Sequence, residues 1–463
     1  MKSINKFYVF LLFISILFWN PLSFFLVFGN TTSYDNRLIH ISFWLIFASE
    51  IAVIFLLRAD KLKRIKNYFL FISLTGILYA VLVIMDGALG LVVKSSQKDK
   101  AGKNLIFEAN SVAFYKTKEF SFKAAINSLG LRGNEFQIDK GNKFRILCIG
   151  DSWTYGWGVD EENSWPSLLA VYLKEAGISK VEVINCGESG QYTGSYLTIA
   201  SKVVPLLKPD LVLVGVLQAD DLSQCYEMSS ALAISNRKKD TPLSKRAGNT
   251  MKAFFHASFH NIIHTVSKDI HHEPIDITAD WESSSAQQID ELDHLQALRF
   301  STFDDTLQDY FRSGNLNPGL LHYYLDFPDR FYVFNNPHHK ATIMAALSMR
   351  KDIDGINIIC KKEKAGLVFV NLPEPVFTGH RITGIFGDLL NNHLYNENHV
   401  DSIYASVARQ TGIPYIELTE RFKVLQDKTS CFYRYDGHPT AKGYGEIANG
   451  IGEFLISRKL VAQ

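Results

Sequence analysis

RILCIGDSWTYGWGV, residues 145–159, decides the fold. An apolar run from Ile146 to Ile149 stops at Gly150, and Asp151 and Ser152 follow at once. A buried strand therefore ends in a tight turn that presents one hydroxyl, and Ser152 reads as a nucleophile on an elbow. Outward from it, strand 145–150 leads to a helix near 164–175, with Ser164 as its cap, Pro166 in its first turn and Gly177 just past its end. Strand 181–186 leads to a helix near 193–207 and then to strand 210–217. The rhythm resumes with strand 366–371, a helix near 398–410, a short strand 414–418 and a last helix from about 440 to 458. Strands alternating with helices predict an α/β fold, a parallel sheet covered by helices on both faces. Between about 225 and 349 the alternation breaks. That stretch is rich in charge, His and aromatics, with helical patches such as MKAFFHASFHNIIHTVSK, and reads as a helical insertion or lid.

Composition narrows the function classes. A chain of 463 residues with 47% hydrophobic content has ample core, and a formal net charge of +1 gives no sign of a nucleic-acid partner, which calls for a strongly basic face. Five cysteines (Cys148, Cys186, Cys225, Cys360, Cys431) without CxxC spacing exclude a zinc ribbon and a small disulfide scaffold. The adjacent pairs His271-His272 and His338-His339 cannot easily converge on one ion, and Asn336-Pro337 before the second pair reads as an ordinary helix start, so no metal is expected. No phosphate-binding glycine motif stands at a strand end, so no cofactor is expected either.

The N-terminal region, residues 1–95, is of a different kind. FYVFLLFISILFWNPLSFFLVF (7–28) has no charge and is long enough to cross a bilayer, and two further apolar stretches follow at 38–57 and 68–93. Glu50, inside 38–57, reads as a packing contact or a site near a helix end. Arg58, Lys61, Lys63, Arg64 and Lys66 fill one connecting loop, whereas 29–36 carries no basic residue. The positive-inside rule then places three transmembrane helices N-in to C-out, in a multi-pass protein of the cytoplasmic membrane with residues 104–463 on the extracytoplasmic side.

The segments GDSWT, the Gly in ESGQYT, QADDL and DGHPTAKG resemble blocks one, two, three and five of the SGNH (GDSL-type) hydrolases, esterases with a flavodoxin-like sheet. INSLGLRG just upstream is similar to a lead-in that often precedes the first block in bacterial members. The resemblance covers about 121–222 and 366 to the end, and leaves out the membrane spans and the insertion. It implies Ser152 as nucleophile, His438 as base, Asp436 as the acid that orients it, and the backbone N–H groups of Ser152 and Gly190 as oxyanion donors.

Chemistry agrees, since ester hydrolysis needs a hydroxyl, a base, an orienting acid and donors for the oxyanion. Two departures from the family pattern matter. Asp436 stands two residues before His438, where the family often has Asp-x-x-His, and Tyr435 takes the minus-three position. Asp220 occupies the oxyanion position at which the family has Asn, and an ionised carboxylate accepts only. Either Asp220 is protonated, or a neighbour such as Gln218 donates, or catalysis is weak. The expected function is a membrane-anchored esterase or deacetylase acting on an extracytoplasmic substrate, with cell-surface carbohydrate esters favoured by location and family habit. The alternatives are an acyltransferase on the same scaffold and a non-catalytic domain that binds glycan or partners.

Overall fold

A strand that is apolar on both faces must be covered on both faces, and the sheet is built from such strands. The computed structural model describes Met85 and residues 104–234, 275–326, 329–379, 393–425 and 431–461. In chain order the strands are β1 (Val112–Lys116), β2 (Ser121–Ala125), β3 (Phe144–Gly150), β4 (Val181–Gly187), β5 (Leu211–Leu217), β6 (Ile275–Asp276), β7 (Gly366–Leu372) and β8 (Tyr415–Glu417). Five of them form one sheet in the order β4-β3-β5-β7-β8, and every neighbouring pair is parallel. This is the flavodoxin-like order, whose winding reverses between β3 and β5 and opens a crevice at their carboxyl ends.

Alternate residues of each strand feed opposite layers. Leu147 and Ile149 of β3, Val212, Val214 and Val216 of β5, and Phe369 of β7 pack with the helices Thr193–Leu207, Lys340–Lys362 and Val400–Thr411. Ile146 and Cys148, Leu211 and Leu213, and Val368 and Val370 pack instead with Trp165–Glu175 and Ala441–Ser457. All five cysteines are free and buried.

One element was not read from the sequence, and one boundary differs from it. FSFKA belongs to a hairpin: β1 and β2 pair antiparallel, and β6 adds parallel to β1. Only Phe122 and Ala124 of β2 are buried, so the run is half polar and too short to stand out. The inserted stretch also ends earlier than expected. Its described part holds five short helices, Trp281–Asp290, His294–Ser301, Asp305–Arg312, Gly319–Asp326 and Asp329–Asn335, with a core of its own around Phe300, Phe303 and Phe311. The Lys340–Lys362 helix, whose N-cap is His339, then lays Ala341, Ala345 and Met349 into the main core. Its outer face exposes Ile343, Met344 and Leu347, which blurs the periodicity that marks a covering helix.

The three apolar stretches expected to span a membrane, Glu50 and the pair His271-His272 lie outside the described residues. Among the described residues no helix is long and apolar enough to cross a membrane.

One packing constraint is directly testable. A Cβ at Gly150 would lie 2.1 Å from Thr154 Oγ1 and 2.8 Å from the Gly215 carbonyl, whereas a Cβ at the helical Gly445 meets nothing within 4 Å. Gly150→Ala is expected to cost about 1 to 3 kcal/mol or more, and Gly445→Ala to stabilise by up to about 1 kcal/mol. Thermal unfolding of the purified variants checks both signs.

Candidate active site

The turn that carries Ser152 is set by capping and close approach. β3 ends at Gly150, and Asp151 caps the one-turn helix Ser152–Tyr155 by accepting a hydrogen bond from the Trp153 N–H at 3.0 Å. That turn lies on the ends of three strands, because added Cβ atoms at Gly150, Gly187 and Gly215 would all collide with Thr154 or Tyr155. The buried Arg132 of INSLGLRG ties down the following loop. Its guanidinium donates to the carbonyls of Tyr155, Gly156 and Val159 at 2.6 to 2.7 Å and pairs with Glu161 at 3.0 Å.

His438 reaches Ser152 from a tight turn ahead of the Ala441–Ser457 helix. The Tyr433 N–H donates to the His438 carbonyl at 2.9 Å, and the Gly437 N–H to the Tyr433 carbonyl at 3.1 Å. Gly437, at φ +83, supplies the left-handed step that folds Asp436 back beside its own histidine, which is why the Asp-x-His spacing works. His438 Nε2 lies 2.8 Å from Ser152 Oγ, and His438 Nδ1 lies 2.6 Å from Asp436 Oδ1. The other carboxylate oxygen of Asp436 accepts from Trp157 Nε1 at 3.3 Å. Hydroxyl, imidazole and carboxylate thus form one continuous relay, with the buried acid able to fix the tautomer that leaves Nε2 free to take a proton.

Ser152, Gly190, Asp220, Asp436 and His438 all border one cavity of about 280 Å³. Gly190 sits at φ +74, and a Cβ there would meet nothing within 4 Å. Its positive φ favours glycine, and the space above it is open toward the cavity. Leu217, Leu320, Phe331 and Val376 give the cavity apolar wall. Leu320, Tyr323, Tyr324 and Phe331 come from the inserted helices, so the insertion furnishes one side of the site.

Gln218 cannot serve as the oxyanion donor. Its amide nitrogen donates to Asp401 and Thr419, its oxygen accepts from the Glu374 N–H at 2.8 Å, and the residue is wholly buried. Asp220 faces the cavity, with one carboxyl oxygen accepting from Gln224 Nε2 at 2.7 Å. Burial pushes its pKa up, and Arg330 and His438 offset this in part. Glu374, which the sequence did not single out, lines the same cavity. It accepts from the Asp220 N–H at 3.3 Å and from the Tyr323 hydroxyl at 3.4 Å. Its carboxyl is held well above the usual range, first by burial and then by the neighbouring Asp220. Asp221 accepts from the Leu217 N–H and the Tyr196 hydroxyl, and burial raises it as well.

No family model matches the chain. An arylesterase from Vibrio mimicus is 40% identical over 78 residues, which are 17% of this chain and 38% of that relative, so the match spans well under half of the relative's length. Among solved structures, a lipase/acylhydrolase from Enterococcus faecalis is similar over 68% of this chain and 96% of its own, at 13% identity and a TM-score of 0.33. A catalytic mutant of an acetylxylan esterase from Geobacillus stearothermophilus is similar over 70% and 96%, at 12% identity and a TM-score of 0.32.

The buried acids make stability depend on pH in a stated direction. Burial raises Asp151 from 3.8 to about 7, so the folded chain holds this proton more tightly than the unfolded chain does. The resulting stabilisation is complete below the unfolded value and is lost as pH rises through the folded one. Asp151→Asn keeps a capping oxygen and removes the titration. Its thermal midpoint is expected to fall less than that of the unsubstituted chain between about pH 4 and pH 7, as followed by unfolding scans across that range.

Proposed function

We propose that this chain is an SGNH-type serine hydrolase that opens ester bonds through an acyl-enzyme on Ser152. The observation that carries the reading is the unbroken relay from Ser152 through His438 to Asp436 at the mouth of a cavity. As Ser152 Oγ attacks the ester carbonyl carbon, His438 Nε2 takes its proton and Asp436 holds the resulting imidazolium. The oxyanion faces the backbone N–H groups of Ser152 and Gly190. Collapse of the tetrahedral intermediate expels the alcohol, which receives the proton from His438, and water then repeats the sequence to release the acid. A cavity of about 280 Å³ with apolar walls suits a small acyl group.

The finer reading is a domain tethered to the cytoplasmic membrane and facing outward, where acylated cell-surface carbohydrate is the substrate at hand. Its support is the uncharged stretch 7–28 and the basic loop 58–66. A reporter that is active only outside the cytoplasm should be on when fused after Gln463 and off when fused near Lys63. The reverse pattern would place the catalytic residues inside.

Acyl transfer to a hydroxyl uses the same relay, and one observation favours keeping it as a second reading. Asp220 and Glu374 present carboxyl oxygens to the cavity, where they can accept the O–H of an acceptor alcohol.

Turnover of a small acetyl ester tests the hydrolase. Ser152→Ala should abolish it with the fold unchanged, and full retention would exclude Ser152 as the nucleophile. Asp220 can donate to the oxyanion only while protonated, so that contribution declines as pH rises through its raised pKa. Asp220→Asn supplies a permanent donor, and one such donor is worth about 2.7 to 4 kcal/mol in enzymes built to use it. The variant is expected to keep or raise hydrolysis and to hold its activity to higher pH. A large loss with the fold intact would assign the carboxyl a separate task and favour acyl transfer.

A further inference from the structure

Asp436 and His438 lie on a turn, and a turn holds a carboxylate in place only if its own backbone is held. The groups that hold it come from distant parts of the chain. Glu119 sits in the bend between β1 and β2, presented by Thr117, whose hydroxyl accepts the N–H groups of Glu119 and Phe120 at 3.1 Å each. The Glu119 carboxylate accepts the Tyr435 N–H at 3.0 Å and the Asp436 N–H at 2.7 Å. On the opposite side the Tyr324 hydroxyl, from an inserted helix, donates to the Tyr435 carbonyl, and the Tyr310 ring packs on Tyr435 at 4.6 Å between centroids. Both backbone polar atoms of Tyr435 and the N–H of Asp436 are thus engaged by side chains more than a hundred residues away.

We infer that Glu119 is a positioning residue for the Ser152 relay: by binding two successive N–H groups it fixes the Asp436 carboxylate against His438. The inference rests on the hydrolase reading for its kinetic consequence but not for its structural one.

The geometry is that of a small anion nest, in which consecutive backbone N–H groups converge on one negative group. Here the anion is supplied by the chain itself. Each bond is charge-assisted and stronger than a neutral one. Burial raises the Glu119 pKa, the two N–H groups counteract that rise, and the nearby Asp436 adds to it. A carboxylate placed beside another carboxylate is a poor choice for stability alone. Its usefulness lies in fixing where Asp436 points. Without it the Asp436 N–H loses its acceptor, the turn is free to rotate, and the hydrogen bond between Asp436 and His438 lengthens.

The test pairs kinetics with a readout independent of turnover, on the full chain in detergent. Glu119→Gln removes the charge and offers an amide in place of two acceptor oxygens, while Glu119→Asp keeps the charge and withdraws it by one methylene. Both are expected to lower kcat for a small acetyl ester by about tenfold or more with KM nearly unchanged, since small displacements of catalytic groups cost rates of that order. Both are also expected to weaken or abolish the far-downfield proton resonance of the Asp436–His438 hydrogen bond, with thermal midpoints near that of the unsubstituted chain. An unsubstituted chain that shows the resonance but no turnover would sink the hydrolase reading and leave the resonance to decide on Glu119. Unchanged kcat and resonance in both variants, or losses that merely follow a lowered thermal midpoint, would overturn the inference.

Discussion

The structure depends on the close approach of one helical turn to the ends of three parallel strands. Ser152–Tyr155 can sit on the sheet only because β3, β4 and β5 carry glycine where the turn touches them, at Gly150, Gly187 and Gly215 respectively. Thr154 is fully buried in that contact. From this seat Ser152 faces the crevice where the winding of the sheet reverses, and Asp220, which follows β5, enters the same crevice from the neighbouring strand. Arg132 then holds the exit of the turn through three carbonyls, so both ends of the loop that carries Ser152 are fixed.

Around this seat the site is unusually acidic. Asp151, Asp221 and Glu374 are buried and Asp220 is partly buried beside them, and each is driven toward its protonated form chiefly by burial. Ionising several of them together would place like charges close to one another in a poorly solvated region. Protonated carboxyls can donate hydrogen bonds, and Asp220 lines the cavity beside Ser152. Among the described residues, Gln218 is spent on holding Asp401, Thr419 and Glu374 together and gives nothing to the cavity.

The central strands were legible because they are nearly continuous apolar runs bounded by glycine or polar turns. Ser152, His438 and Asp436 were legible because their chemistry is packed into two short segments, GDS and DGH. Glu374 was not, since nothing in LPEP marks a cavity-facing acid. It follows from pairing, because Leu217 opposes Leu372 in the sheet and the residues after each strand emerge side by side. Glu119 was hidden for a similar reason. It lies in a hairpin only two residues of which are buried in its second strand, and its partners are backbone groups some 316 residues away. The end of the insertion was misplaced because the Lys340–Lys362 helix exposes apolar residues on its outer face.

The central claim is that Ser152 is an activated nucleophile and not a surface hydroxyl in a turn. Reaction of the full chain with a fluorophosphonate probe, followed by peptide mapping, tests it most directly, because the probe requires a serine whose proton a base can take. The expected result is a single modified residue, Ser152, with no labelling of the His438→Ala variant. Labelling at another residue, or none in a folded chain, would contradict the account.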